Sequence, residues 1–421
     1  MIRLPGESSR WRGWARSAAL ADPGEPADRV ALRLLLLGFG FFIPLWIGGA
    51  ELLGYSASML GVWIACRRGG AGVRRADWLW PMALYAVFCV VAAVAGWNPA
   101  RALPRLNRLL LLPLVIAPAT ALAGLPRERA AEWSVRCLAA FLAGATLKAC
   151  YDLGRIPLGA ALGEWLYGLG NMRDPQFYLS ALLLWMAISC GGSAPAGGRT
   201  RAFALLAAAA GLVLHFKRGV WLAFGIAAAT LCVLYRRRAF VALALATGVA
   251  LLLPPVRARW SALGAEFAPG ASRRVLWTRI APKMIRENPW GVGRGVIRNK
   301  DLQRYGRLRE TNLNHLHNNG LQIAVESGWG GVAAWIVWMV WAAVEMAWNA
   351  ACAARRRHPC RWVPIGIGFV FLGLMLNGWV EYNFGDSEIY MWLLLLLGVS
   401  RLWSGGTAPA AGPPSPKGAA A

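Results

Sequence analysis

Residues 318–350 read NNGLQIAVESGWGGVAAWIVWMVWAAVEMAWNA, a run whose only charges are Glu326 and Glu345. At ~1.5 Å per residue a continuous helix over it reaches nearly ~50 Å, well past the ~30 Å of hydrocarbon in a bilayer. Three outcomes fit the excess length. The helix tilts, it breaks near Gly328-Trp329-Gly330-Gly331, or its first turns stand above the hydrocarbon. Each keeps His317 and Glu326 in an aqueous or headgroup environment. The run is a membrane helix.

The same pattern recurs on both sides. Apolar windows fall near 30–48, 50–66, 77–96, 108–124, 133–151, 176–191, 202–215, 219–235, 239–253, 318–350, 363–380 and 387–402. They describe an all-α polytopic membrane protein of about 12 transmembrane helices, with one large loop between the ninth and the tenth. Of the 421 residues 57% are apolar and 15% charged, which excludes a disordered chain and suits a soluble enzyme poorly. The eight cysteines lie in apolar runs or basic connectors without metal-ligand spacing, so neither a disulfide framework nor a zinc site is expected. Met1 to Arg29 is too long and too acidic for the n-region of a signal peptide, so the first apolar run is expected to be an uncleaved span. The expected organisation is a cytoplasmic segment over 1–29, nine helices over 30–253 and an outer loop with an amphipathic helix over 254–317. Three helices over 318–403 and a disordered cytoplasmic tail over 404–421 complete it.

Lys and Arg total 45 against 20 Asp and Glu, a net charge of +25, which calls for an anionic partner. With the N-terminus in the cytoplasm, the inward connectors carry Arg67-Arg68 with Arg74-Arg75, Arg127 and Arg129, Arg199 and Arg201, Arg236-Arg237-Arg238, and Arg355-Arg356-Arg357 with Arg361. That is the positive-inside pattern. The outward connectors should be poor in such residues and are not. Arg101, Arg105 and Arg108 follow the third span, Arg155 and Arg173 the fifth, and Lys217-Arg218 fill the tight turn between the seventh and eighth. The long loop holds 13 Lys and Arg against four acids. Long loops cross whatever their charge, so the loop alone has a bland reading. A turn of a few residues cannot escape the rule through length. Arg218 therefore points to a polyanionic substrate on the outer face.

Within the loop, Val275, Leu276, Ile280, Met284 and Ile285 recur at near-helical spacing among basic residues, the pattern of an amphipathic helix on a membrane surface. Pro289 and the glycines at 291, 293 and 295 stop it. No strand precedes those glycines, so they do not read as a nucleotide loop. His317 precedes Asn318 and Asn319, either of which suits an N-cap. A helix N-terminus and nearby arginines both favour the uncharged ring, and such a ring can accept a proton as a general base. His315 competes for that role, and a hydrogen-bonded loop histidine is the structural alternative. Glu326 is expected to cap, to brace the structure or to meet a substrate hydroxyl. In the last outward connector, Asp386-x-Glu388 offers oxygen ligands for a divalent ion. Pairing of its acids with the outer arginines, which grip phosphate without a metal, is the expectation, and no metal site is assigned.

Three elements now stand in order. His317-Asn318, nine residues, Gly328, two residues and Gly331 resemble the signature of the O-antigen ligases, shared with the O-antigen polymerases and the bacterial O-oligosaccharyltransferases. Lys217-Arg218-Gly219-Val220-Trp221-Leu222 resembles that family's Ser-Arg-Gly-x-Trp/Leu element, with Lys217 where serine is usual. Arg273-x-x-x-Trp277, followed by Asn288-Pro289-Trp290-Gly291-Val292-Gly293, resembles its Arg-x-x-x-Trp and Asn-Pro-x-x-Gly-x-Gly stretch.

The resemblance implies a GT-C-like, metal-independent glycosyltransferase of the bacterial inner membrane, without cofactors and with a periplasmic active site. Its reaction would carry a glycan from undecaprenyl diphosphate to a sugar hydroxyl of lipid A–core, completing lipopolysaccharide. By position, His317 would be the catalytic base, and Arg218, Lys217 and Arg273 or its neighbour Arg274 would bind the donor diphosphate. Arg101, Arg105, Asn318, Glu326 and Asp386 are further candidates for substrate contact. A polymerase would differ in its acceptor, another lipid-linked repeat, and a protein O-oligosaccharyltransferase more often has a longer C-terminal region. Strong positive charge suits the phosphorylated lipid A–core best. A transporter of lipid-linked glycans would need charges near the midplane and repeated broken helices, whereas Lys148 and Glu345 fall toward span ends. No nucleic-acid partner is expected.

Overall fold

The structure, a computed structural model, describes residues 25–67, 79–155, 173–190, 197–261, 263–266, 268, 271–308, 313–355 and 359–404. Most of the expected terminal segments lies outside these residues, as do Arg68, Arg74, Arg75, Arg309, Arg356, Arg357 and the side chain of Arg274. Every regular element among the described residues is helical. Before the loop come α1 (Ala27–Phe42), α2 (Ile47–Arg67), α3 (Leu79–Ala95), α4 (Pro99–Ala102), a 3-10 segment (Leu103–Val115) and α5 (Ala117–Ala121). Then follow α6 (Arg127–Gly154), α7 (Asp174–Ser189), α8 (Gly198–Leu214), α9 (Arg218–Tyr235) and α10 (Arg237–Leu252). The loop holds α11 (Pro254–Ser261), α12 (Leu263–Glu266), α13 (Ser272–Val275), a π-turn (Leu276–Ile280), α14 (Ala281–Glu287) and α15 (Asn299–Tyr305). The long α16 (Asn319–Arg355), α17 (Trp362–Gly378) and α18 (Ser387–Arg401) complete the bundle.

Glu128–Gly154, Arg218–Tyr235 and Asn319–Arg355 are long and apolar enough to cross a membrane, and Leu79–Ala95, Ala239–Leu252 and Trp362–Gly378 are shorter apolar helices. The fourth apolar window departs from expectation. It folds as a 3-10 segment and a short helix because Pro113 and Pro118 interrupt it, and proline removes the amide that an α-helix needs. Helices α7 and α18 are buried on nearly every side, as helices apolar all round must be. Trp392 of α18 stacks on Phe141 of α6 with centroids 3.8 Å apart. Helix α17 packs among α7, α9 and α16. On the outside, Leu206, Leu245, Val340 and Val344 stand uncovered. In water such a belt invites aggregation; against lipid it is the ordinary state.

Helix α16 breaks where the sequence allowed it to. Gly328 sits at φ 72°, ψ −175° inside the run, and the loop fills the notch. The amides of Val292 and Gly293 donate to the carbonyls of Val325 and Glu326 at 2.9 and 3.1 Å, while the Trp329 amide donates to Pro289 at 3.0 Å. The groups freed by the break are thus satisfied by the Asn288–Gly295 stretch. A Cβ at Gly291 (φ 90°) would lie 2.5 Å from the Glu326 carbonyl oxygen, so only glycine lets the two backbones approach this closely.

The amphipathic segment corrects one expectation. Leu276, Ile280 and Met284 are fully buried while Lys283 and Arg286 face outward. The apolar face packs on α16 within the main core rather than lying on a lipid surface.

Candidate active site

Polar residues from the ends of α6, α7, α8, α9, α16, α17 and α18 collect at one end of the bundle. At the α8–α9 turn, Phe216 takes a left-handed φ of 50°, rare for a bulky residue. Three contacts hold the turn. Trp221 donates its indole N–H to the Leu212 carbonyl at 2.8 Å, Arg259 of α11 reaches the Phe216 carbonyl, and Arg218 donates to the Arg259 carbonyl at 2.9 Å. The turn and the first loop helix are therefore cross-tied, and Lys217, Arg218, Arg259 and Arg273 line one small cavity of about 90 Å³ with Glu381 and Asn377. Burial pulls the Lys217 ammonium below its usual range, Glu381 opposing and Arg259 adding to the shift.

His317 faces this cavity's acid. Its Nδ1 lies 2.9 Å from Glu381 Oε1. Burial raises Glu381, but the hydrogen bond and charge of His317, helped by His315 and the Tyr382 amide, bring it below the usual carboxylate range. An ionised carboxylate only accepts, so Nδ1 carries a proton and donates it; in the neutral ring the lone pair is then on Nε2. His315 lies beside it, ring centroids 4.0 Å apart. Burial, then His317 and Arg273, push His315 down to about 4 against the pull of Glu381, so it stays neutral at pH 7. Its Nδ1 accepts from the His317 amide at 3.3 Å.

The residues around His317 explain the motif. His317 itself is left-handed at φ 50°, and Leu316 before it is pinned at both backbone groups. The Trp277 indole donates to the Leu316 carbonyl at 2.8 Å, and the Leu316 amide donates to Gln322 Oε1 at 2.8 Å. Asn318 caps α16, its Oδ1 accepting from Leu321 at 2.9 Å, and donates to the Trp379 carbonyl at 2.8 Å. Glu326 accepts from the Gly295 amide, Gln322 and Tyr382 at 2.8–3.0 Å. Of the roles expected for Glu326, bracing is the one its contacts fill. Its oxygens are held by protein donors deep in the fold, away from the cavity.

Other expected site residues lie apart. Arg101 and Arg105 do not line the cavity, and exposed Arg105 runs along Gly295. Glu388 pairs with Arg173 and Arg108 donates to the Gly385 carbonyl, while Glu381, the first acid of this connector, binds His317 rather than an arginine. Burial and Glu381 push Asp386 up to about 6, against Arg108 and Arg173. The folded chain then holds a proton that the unfolded chain releases above its ordinary 3.8. Stability from this group is full below that value and is lost as pH rises to about 6. Asp386→Asn should match wild type near pH 4 and gain on it in Tm up to about pH 6, with a level difference above; a pH-independent difference would refute the assignment.

Among the described residues, two groups bring three metal-type ligands within 4.8 Å of one another: His315, His317 and Glu381, and Asp152, Asp174 and His215. In the second, Lys148 Nζ sits 2.6–2.7 Å from both carboxylates and takes the cation's place. In the first, the cations lining the adjoining cavity set a positive potential against an added ion.

Sequence reasoning missed two partners. Glu381 was visible as one of three acids in a connector, but its pairing with a residue 64 positions away has no local signal. Arg259 was one of 13 basic loop residues and is distinguished only by its place under the turn.

Beside the histidine opens a far larger apolar groove of about 1010 Å³ between α9, α16 and α17. Asn318, Asn319 and Trp379 line it at the His317 end, and Trp335, Met339, Met346, Phe369 and Leu372 line its length. From Trp335 to Ala351 it follows about 24 Å of helix, comparable with a hydrocarbon core.

No curated protein matches the chain. Residues 203–336 match the family model described as O-antigen ligase, a stretch that contains the Lys217-Arg218 turn, Arg259, Arg273, His317 and Gly328 and ends before Glu381. Such a match implies a glycosyltransferase-like membrane enzyme acting on lipid and glycan substrates. Through residues 203–336, the chain is similar to the O-antigen ligase superfamily.

Proposed function

We propose that the protein is an O-antigen ligase, transferring a glycan from undecaprenyl diphosphate to a sugar hydroxyl of lipid A–core at the periplasmic face of the bacterial inner membrane. In this reading 254–317 is the periplasmic loop and both terminal segments are cytoplasmic. One observation carries it: a histidine whose Nδ1 is held by a carboxylate adjoins a cavity lined by four cations at one end of an apolar groove. The groove suits an isoprenoid tail, the cations a diphosphate, and the ring an acceptor hydroxyl.

The acceptor oxygen attacks the anomeric carbon and a new glycosidic C–O bond forms. Its proton passes to His317 Nε2. The bond between the anomeric carbon and the phosphate oxygen breaks, and its electron pair leaves on the diphosphate. Lys217, Arg218, Arg259 and Arg273 offset that charge where it develops. Glu381 fixes the tautomer and steadies the imidazolium until the proton reaches water. The donor linkage supplies the driving force, so neither nucleotide nor metal enters the scheme.

Steady-state kinetics of Arg218→Ala in the presence of EDTA test it. Losing a charge-assisted contact of roughly 1.5–3 kcal/mol should raise the donor KM by about tenfold or more and leave the acceptor KM alone. An unchanged donor response would return Arg218 to a packing role. Activity lost to chelation and restored by zinc would move the chemistry to a metal held by His315, His317 and Glu381.

A further inference from the structure

A second polar cavity, of about 500 Å³, opens between the α1–α2 turn and the facing ends of α6 and α7, closed on one side by Glu388. Its charges are of a different kind from those beside His317. Lys148 bridges Asp152 and Asp174 at 2.6 and 2.7 Å, and Arg173 pairs with Glu388. Arg155 lies 5.6 Å over the Tyr151 ring. Three cations thus stand with three carboxylates, where the diphosphate cavity sets four cations against Glu381. Two large aromatic side chains, Trp46 and Tyr151, line the cavity yet remain 61% and 60% exposed. A balanced set of donors and acceptors has no net attraction for phosphate, but it can meet many hydroxyls at once. Exposed rings offer a face to the apolar C–H side of a sugar.

The cavity neighbours the transfer site. His215 stands 3.6 Å from Asp152 and precedes Lys217 by two residues. Asp386 interacts electrostatically with both Arg173, which lines this cavity, and Glu381, which lines the other. We infer that this second cavity is a carbohydrate subsite for an uncharged, hydroxyl-rich glycan, and that the acceptor's sugars fill it. The acceptor assignment rests on the transfer reading above. The sugar chemistry does not.

The full chain in nanodiscs tests both, using Trp46→Ala and Tyr151→Ala, with Trp46→Tyr and Tyr151→Phe as ring-preserving controls. Each alanine variant should raise the KM for lipid A–core about tenfold, with kcat and the donor KM within twofold, and the controls should recover most of the loss. A rise confined to the donor KM overturns the acceptor assignment and gives the subsite to the donor's own sugars. No change in either KM overturns the subsite and leaves the two rings as anchors at the membrane interface. Saturation-transfer NMR with a dephosphorylated, lipid-free core oligosaccharide supplies a readout that needs no turnover. Wild type should show contact that both alanine variants lose, and its absence from wild type overturns the subsite even where transfer is intact.

Discussion

Alanine at position 317 is expected to lower glycosyl transfer by roughly 10²–10⁴-fold, the contribution of a positioned general base. The KM for either substrate should barely move, because the ring acts on a proton in flight rather than on bound ground states. A backbone effect has to be separated from this, since His317 lies at φ 50° and alanine resists that region. Asparagine tolerates left-handed backbone, so His317→Asn should keep the fold and lose transfer equally. Glu381→Gln should cost less. The amide can still accept from Nδ1 through its oxygen, but it cannot balance an imidazolium, so kcat should fall with both KM values retained. Near wild-type turnover in both His317 variants would remove the base from the mechanism.

The second large effect is structural. A Cβ at Gly328 would stand 2.3 Å from the Pro289 carbonyl oxygen and 2.6 Å from the Trp290 carbonyl carbon, with φ at 72°. Both neighbours are backbone and have no rotamer to yield. Left-handed backbone costs a non-glycine residue about 1–2 kcal/mol. Displacing the loop further forfeits the Val292–Val325 and Gly293–Glu326 hydrogen bonds, each worth about 1 kcal/mol. Gly328→Ala should therefore lose roughly 3–5 kcal/mol, seen as a lower Tm and poor recovery of folded protein. Gly225 in α9 has nothing within 4 Å of a built Cβ, so Gly225→Ala should be neutral or slightly stabilising. Equal Tm values for the two variants would contradict the notch.

Much of this architecture is legible in the sequence because hydrocarbon imposes a fixed length on any helix that crosses it. Helices α2, α3, α7, α9, α17 and α18 begin and end within about three residues of their apolar windows. The 108–124 window misleads because apolarity outvotes its two prolines, Pro113 and Pro118, in any average, whereas the backbone cannot ignore them. The Ser272–Glu287 segment misleads in another way. Its amphipathic pattern says that one face is buried, but not whether protein or lipid buries it, and the partner face on α16 is 40 residues away. At the site, Arg218 stands out because a short outer turn should not be basic, and His317 because it abuts a helix start. Glu381 and Arg259 are set by how α17 and α11 come to rest against that turn, which no spacing encodes.

Purified protein in proteoliposomes, supplied with glycan-bearing undecaprenyl diphosphate, with and without lipid A–core, tests the central claim most directly. The account predicts that glycan appears on lipid A–core while undecaprenyl diphosphate is released in equal amount, and that nothing is released from the donor when lipid A–core is left out. Elongation of the donor glycan in the absence of lipid A–core, or no transfer with both substrates present, would contradict it.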